Sequence, residues 1–247
     1  MSASRSVSSR SVSPRSVSPR SVSQTARARA RAELTAEIVA AAREELADVG
    51  PAALSLRSVA RRLGMVASGL YRYFPSRDSL LTALIIEAYE AVGAAAAAAA
   101  DESGPAPMGR WLAVCTRVRA WAGEHPHQWA LIYGSPVPGY AAPEATVGAA
   151  LRITEVVAGL VRDTPEGHPP EAIFPPAGHL EAVIDPLRET LMPGRPAEVA
   201  VAALMAWTSL IGMVSLELFG HYKGGTTDFD AVFSYAMEAA GRAAGLA

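Results

Sequence analysis

The sequence is poor in cysteine and has no long uninterrupted apolar segment. Cys115 is the single cysteine in 247 residues, which excludes an internal disulfide and indicates an intracellular protein with a core thiol. No apolar run reaches the roughly 18 residues that a membrane-spanning helix needs. No apolar segment precedes Arg27 to act as a secretory signal. We therefore expect a cytoplasmic protein without a membrane partner.

Patterns typical of catalysis or of metal binding are also scarce. The serines and histidines show no nucleophile–base spacing, and there is no glycine-rich phosphate loop. His125 and His127 lie two residues apart across a proline, which is poor spacing for one helical face. A metal site that they share with His179 or Glu124 is conceivable, but local capping and hydrogen bonding are favoured. We predict no enzyme activity, no cofactor and no metal site.

The net charge of −2 conceals a strong asymmetry along the chain. Residues 1–77 hold 13 arginines and 5 acidic residues, a net charge of +8, whereas residues 78–247 hold 9 basic and 19 acidic residues, a net charge of −10. The first third therefore suits a polyanionic partner, and the remainder would repel one.

Periodicity divides the chain into a polar tail and a helical body. Residues 5–23 repeat the pentapeptides RSVSS and RSVSP, which are too polar to form a core, so we predict a disordered tail over residues 1–26. This tail is either a basic arm that follows phosphates or an incidental extension. From Glu33 onward the apolar period is helical and no segment alternates like a strand. The expected fold class is all-α.

Helix-ending and helix-capping residues predict three short helices and a long fourth one. Gly50-Pro51 and Gly64 end the first two helices, and Ser55 and Ser76 cap the second and the fourth. The third helix is expected from about residue 66 to 73. Two short helices joined by a tight glycine turn are the shape of a helix-turn-helix. We assign residues 27–77 to this unit, residues 78–103 to a connecting helix, and residues 104–247 to a second helical domain.

Basic and phenolic side chains cluster around the predicted turn. They are Arg57, Arg61, Arg62, Arg72 and Arg77, with Tyr71 and Tyr73. Guanidinium and phenol groups commonly contact phosphates and so fix the register of a protein on DNA. Leu70 and Phe74, in the same stretch, are expected in the core. The cluster favours DNA binding over a merely solvated surface.

The segment that starts at Ser55 and reads SLRSVARRLGMVASGLYRYFPSRDSLLTALI resembles the DNA-binding head of the TetR family of transcriptional regulators. The shared elements include the Val-Ala pair at 59–60, Gly64, the Leu-Tyr pair at 70–71 and the Tyr-Phe-Pro run at 73–75. The resemblance implies phosphate contacts from four residues: Ser55, Tyr71, Tyr73 and Arg77. It also implies four positions that face the groove: Arg57, Ala67, Ser68 and Gly69.

Two departures from the family pattern qualify this interpretation. Val66 stands where the family often has a capping Ser or Thr, so the recognition helix lacks its usual cap unless Ser68 shifts the helix start. Ala67, Ser68 and Gly69 are nearly bare and cannot make bidentate contacts to bases. We therefore expect Arg57 to supply the main polar base contact, with DNA shape supplying much of the rest.

Residues 105–247 resemble the ligand-binding halves of a TetR subfamily common in actinobacteria, one with a Trp-containing penultimate helix. The resemblance rests on HPHQWALIYGSPVPGYAAP at residues 125–143 and WTSLIGMVSLELFGHY at residues 207–222. Aromatic and thioether side chains typical of apolar pockets make up the predicted ligand-binding set: Trp111, Trp129, Tyr133, Tyr140, Met205 and Trp207. Each of them, taken singly, is equally typical of an ordinary core.

The predicted function is a ligand-responsive transcriptional regulator, expected to be a repressor that a small apolar effector releases from a palindromic DNA operator. Small residues on the helices predicted at 196–220 and 228–245 would let two subunits approach closely and form a homodimer. Two heads about 34 Å apart could then read a palindrome. The alternatives are a small-molecule binding protein or a helical scaffold with no specific DNA target.

Overall fold

The computed structural model describes residues 19–164 and 181–246, and these residues form helices and connecting turns with no strand. The helices are α1 (Pro19–Ala53), α2 (Leu56–Arg62), α3 (Ala67–Leu70), α4 (Arg77–Glu102), α5 (Pro107–Glu124), α6 (Pro126–Tyr133), α7 (Val147–Ala150), α8 (Arg152–Arg162), α9 (Glu181–Leu191), α10 (Ala197–Leu218) and α11 (Phe229–Ala243). A 3-10 turn, Glu144–Thr146, precedes α7. The all-α expectation is confirmed.

The first helix differs from the expectation at its start. Residues 1–18 of the predicted disordered tail lie outside the described residues, but α1 already begins at Pro19, so residues 19–26 belong to a helix. Proline suits the first helical position because its φ is preset and it has no N–H to leave unpaired. At the other end, Gly50 has a φ of 74° and breaks the regular helix, as the Gly50-Pro51 signal predicts.

The turn between α2 and α3 is built as predicted. The Ser55 hydroxyl accepts a hydrogen bond from the Ser58 amide at 3.1 Å and caps α2. Gly64 has a φ of 65°, a conformation that residues with a Cβ adopt only at a cost. The chain therefore reverses at Gly64 and places α3 across the end of α2, in helix-turn-helix order.

A first hydrophobic cluster holds the head together. It joins buried side chains of α1, α2, α3 and α4, among them Leu70 and Phe74, which are 0% and 7% exposed. Leu131 of α6 and Val137 of the following loop belong to the same cluster. The head is therefore packed directly against part of the second domain.

The long helix α4 leads from the head into the second domain. A capping box of Ser76 and Ser79 fixes its start, since each hydroxyl satisfies a free amide of the other residue. Its second half packs in a second hydrophobic cluster with α5, α8, α10 and α11. By length and composition α4 and α10 could each cross a membrane. Neither forms an unbroken apolar run in the sequence, because a few polar residues interrupt each helix. Both contribute many residues to the buried core, and this explains their apolar composition equally well.

Candidate nucleic-acid interface

The helix α3 that would enter the DNA groove is shorter than predicted. It spans four residues and then passes into turns through Tyr73. Val66 occupies its N-cap position without making a side-chain cap, and Ser68 does not shift the helix start. The short helix keeps its place because Leu70 is fully buried and the amides of Tyr73 and Phe74 both donate to the Leu70 carbonyl.

The side chains around α3 do not all face outward. Ser68 is exposed, but Ala67 is half-buried and packs against the core of the head. A Cβ added at Gly69 would lie 3.5 Å from Met65 Cε and 3.9 Å from Val66 Cγ2, both ordinary contacts. Packing inside the protein therefore does not require glycine at position 69.

Three arginines on α2 and after α3 are free for a ligand. Arg57, Arg61 and Arg72 are exposed, and their guanidinium groups have no hydrogen-bond or ion-pair partner among the described residues. Unpaired guanidinium groups on one structural unit favour a polyanion, because no internal carboxylate neutralises them.

Arg62 has a different role from its neighbours. Its guanidinium group binds Glu45 at 2.9 Å, Glu44 at 3.4 Å and, at shorter range, Asp48, all on α1. These hydrogen bonds, that to Asp48 first, raise the pKa of Arg62. Arg62 thus ties α2 to α1 and does not belong to the free basic set.

Arg77 is also engaged inside the protein, contrary to the phosphate contact that the resemblance implies. Its side chain donates to the carbonyl oxygens of Pro51 at 2.7 Å, Leu54 at 3.1 Å and Ala52 at 3.3 Å. These carbonyls end α1 and begin the connection to α2. Arg77 therefore fixes the start of α4 against the end of α1. Sequence spacing could not reveal this, since the residues are more than 20 positions apart.

The two tyrosines after α3 are placed differently. Tyr71 is 45% exposed and is accessible to a phosphate. Tyr73 is half-buried beneath Arg31, whose guanidinium carbon lies 5.0 Å from the ring centroid. Arg31 also donates to the Arg72 carbonyl at 3.2 Å. Arg31 thereby fastens α1 to the turn after α3, a contact that the sequence pattern gave no signal for.

The six residues predicted to bind a ligand do not surround one cavity. Trp111 and Trp129 are fully buried, and each indole N–H has a partner, the Met237 carbonyl at 2.6 Å and the Ser215 hydroxyl at 3.0 Å respectively. Both are core residues that join α5 and α6 to α11 and α10. Their placement corrects the prediction, because a satisfied, fully enclosed indole offers nothing to a ligand.

The other four predicted residues are not brought together either. Tyr140 shares a hydrogen bond of 2.9 Å with Thr82 near the start of α4, and Met205 is 51% exposed on α10. Tyr133 and Trp207 are partly buried, and the Tyr133 hydroxyl and the Trp207 indole N–H are buried without a hydrogen-bond partner. An unpaired buried polar atom is costly. These two atoms are therefore the best-supported points of ligand contact in the second domain.

Tyr133 lies in an aromatic group between α4 and α6. Its ring packs against Trp129 at 4.6 Å and edge-on against Tyr89 at 5.8 Å. Burial, with a smaller contribution from Tyr89, raises the pKa of Tyr133 well above its usual value. The hydroxyl is thus a neutral hydrogen-bond donor across the physiological pH range. Tyr89 donates to the Ile132 carbonyl at 3.1 Å, which fixes the rings relative to each other.

A well-defined cleft lies elsewhere, between α5, α10 and α11. It has a volume of about 570 Å³ and contains none of the six predicted residues. Arg119 bridges it with contacts to Glu217 at 2.5 Å and Asp230 at 2.7 Å, and lies over the rings of Phe229 and Phe233. Glu217 and Asp230 both contact Arg119 in this open cleft, so neither carboxylate is left without a partner that a ligand would have to supply.

No group of three or more potential metal ligands occurs in the described ranges. His125 forms the junction between α5 and α6 and packs against Trp121 at 4.9 Å, but its side chain makes no cap hydrogen bond, unlike the local capping that the sequence favours. His179 lies outside those ranges. Cys115 is buried, and burial raises its pKa well above the usual value for a thiol.

Comparison with known proteins agrees with this architecture. The family model for bacterial regulatory proteins of the tetR family matches residues 38–84, and the model for the tetracyclin repressor-like C-terminal domain matches residues 111–240. The HTH-type transcriptional regulators Rv1816 of Mycobacterium tuberculosis and Mb1846 of Mycobacterium bovis are both 37% identical over 206 residues, 79% of this chain and 85% of each relative.

Solved structures extend the similarity to three dimensions. The crystal structure of the regulatory protein SCO4313 superposes with a TM-score of 0.71 at 32% identity, and covers 86% of this chain and 97% of that one. A protein of unknown function from Rhodococcus sp. RHA1 shares the fold, with a TM-score of 0.62 at 24% identity over 85% and 94% of the two chains. The chain belongs to the TetR family of bacterial transcriptional regulators.

Proposed function

We propose that this TetR-family regulator acts as a homodimer in the cytoplasm, and that it represses transcription from a palindromic operator until a small apolar effector releases it. The observation that carries the DNA-binding part is the set of exposed, unpaired arginines, Arg57, Arg61 and Arg72, around the helix-turn-helix. The net charge of +8 over residues 1–77 supports the same partner.

The dimer interface is assigned to α10 and α11. Both helices carry large apolar side chains at helical spacing on their open faces, with exposures from 41% to 78%: Met205, Leu216 and Phe219 on α10, and Val232 and Tyr235 on α11. Adjacent apolar stripes of this kind mark a protein–protein contact. By contrast, three of the small residues of α10, Ala202, Ala203 and Ala206, are buried within the subunit.

The effector site is assigned to the region of Tyr133. Its hydroxyl is buried and unpaired, so a hydrogen-bond acceptor on the effector would satisfy it, and the neighbouring rings of Trp129 and Tyr89 favour an apolar framework. The unpaired indole N–H of Trp207 on α10 is a second candidate contact. The effector would then be a mainly apolar molecule with acceptor oxygens. It could shift the spacing of the heads through α4 only if it binds the two spacings with different affinity.

Binding of the full-length protein to duplexes from the region around its own gene tests the proposal. We expect one duplex to bind preferentially over scrambled DNA, and Arg57→Ala to flatten that preference. Arg117→Ala is the control, because Arg117 is a partly exposed arginine on α5, outside the head, that pairs with Glu124. Failure to bind any duplex would reject the DNA-binding function, and an unchanged preference in Arg57→Ala would reject the role of Arg57 alone.

A further inference from the structure

Val66 combines an unusual position with an unusual exposure. It immediately precedes α3 and is 74% exposed, more than any other large apolar side chain in the described part of the head. The N-terminal residues of the second helix in a helix-turn-helix are those that reach base edges in the major groove. An inference about Val66 therefore rests on the proposed DNA-binding function.

The protein gains nothing internally from valine at this position. Ser or Thr at an N-cap stabilises a helix by about 1 kcal/mol, and Val66 makes no cap. Its neighbours Met65 and Ala67 pack against the core of the head, whereas the Val66 side chain does not. Position 66 thus presents an apolar group to the surface at which DNA would bind.

The shape of this surface suits one feature of DNA. A β-branched side chain is stiff about χ1, and Val66 Cγ2 would lie 3.9 Å from a Cβ added at Gly69, so the two residues adjoin. The isopropyl group and the bare glycine together form a small apolar surface at the start of α3. In the major groove the apolar feature that distinguishes one base from the others is the C5 methyl group of thymine.

We propose that Val66 is a specificity-determining residue that contacts the C5 methyl group of one thymine in each operator half-site. The resemblance implies that Ala67 faces the groove, but the structure packs Ala67 partly against the core of the head and exposes Val66. With Arg61 and Arg72 for the phosphates and Arg57 for a polar base contact, Val66 supplies an apolar base discrimination that the bare side chains of α3 do not.

The test uses matched deletions of methyl groups from DNA and from protein. A preferred duplex is first selected from random sequences with the full-length protein, and each thymine is then replaced singly by deoxyuridine, which lacks the C5 methyl group. We expect one thymine in each half-site to be sensitive, with about a fourfold loss of affinity, since that factor corresponds to burial of one CH₂-sized group. In Val66→Ala the thymine and deoxyuridine duplexes should bind with equal affinity.

A second variant separates this contact from any effect on folding. Val66→Thr keeps one methyl group and supplies an N-cap hydroxyl, so it should melt at a higher temperature and retain part of the preference for thymine. The inference is overturned if no thymine is sensitive to replacement by deoxyuridine, or if Val66→Ala is as sensitive as the parent protein. In either case the proposed DNA-binding function would still stand. If selection enriches no duplex, the proposed function fails together with the inference.

Discussion

Replacing Arg77 distinguishes a structural arginine from a phosphate contact. Three hydrogen bonds join its guanidinium group to the carbonyls of Pro51, Ala52 and Leu54. Hydrogen bonds that involve a charged group contribute about 1.5–3 kcal/mol when they are buried. Because the side chain is 29% exposed, water would replace part of this interaction in the variant. We therefore expect Arg77→Ala to lower the free energy of unfolding by about 2 kcal/mol.

Thermal unfolding and DNA titration together provide the assay. In a chain of this size a loss of 2 kcal/mol corresponds to a fall in Tm of about 4–8 °C. The salt dependence of DNA affinity in Arg77→Ala should match that of the parent protein at temperatures where both are folded. The stability of Arg77→Lys should lie between those of the parent protein and Arg77→Ala, because a single ammonium group cannot reach three divergent carbonyls.

Arg61→Ala is the matched control, since Arg61 is exposed and has no partner among the described residues. It should leave Tm nearly unchanged and make the salt slope less steep by about 1 for each head. The reasoning about Arg77 would be refuted if Arg77→Ala kept the parental Tm and showed the reduced salt slope instead.

Three further substitutions or treatments probe separate parts of the structure. Gly69→Ala should keep or slightly raise Tm, since the new Cβ meets only ordinary contacts and alanine favours helix. The same variant should bind DNA more weakly in an anisotropy titration. Unchanged affinity would mean that the backbone at Gly69 does not approach DNA. Gly241→Ala should lower stability by about 1–3 kcal/mol in urea unfolding, because its Cβ would lie 2.6 Å from Trp111 Cδ1. Gly123→Ala, with no heavy atom within 4 Å of the new Cβ, is its control and should not destabilise. Cys115 should resist iodoacetamide at pH 8 in the native protein and react once urea exposes it. The reason is that burial raises the pKa of the Cys115 thiol and the thiolate is the reactive form. Rapid labelling of the native protein would contradict the burial of Cys115.

The local elements of the fold were predictable because their signals are local. Gly50 and Gly64 have the positive φ that helix ends and tight turns favour, and Ser55 and Ser76 make the caps that their positions suggest. A cap needs only its own turn of chain, so short-range patterns suffice. Arg77 shows the limit, because its partners more than 20 residues away become neighbours only when α1 and α4 pack together.

The ligand-binding set was less predictable for a related reason. Aromatic residues at helical spacing fill cores and line pockets alike, and only the packed structure shows that Trp111 is satisfied whereas Tyr133 is not. Periodicity likewise identifies an apolar face on α10 without showing which residues turn inward. Ala206 is buried, while Met205 is exposed toward the proposed partner subunit.

The salt dependence of affinity for the preferred duplex tests the central claim most directly. Each phosphate that the protein neutralises contributes about −0.9 to the slope of log affinity against log salt concentration. Arg61 and Arg72 from two heads therefore contribute about −4 to this slope, and the Arg61→Ala, Arg72→Ala double variant should bind with a slope that is less steep by that amount. A parent protein whose affinity did not change with salt, or a double variant with the parental slope, would contradict the assignment of this surface to DNA.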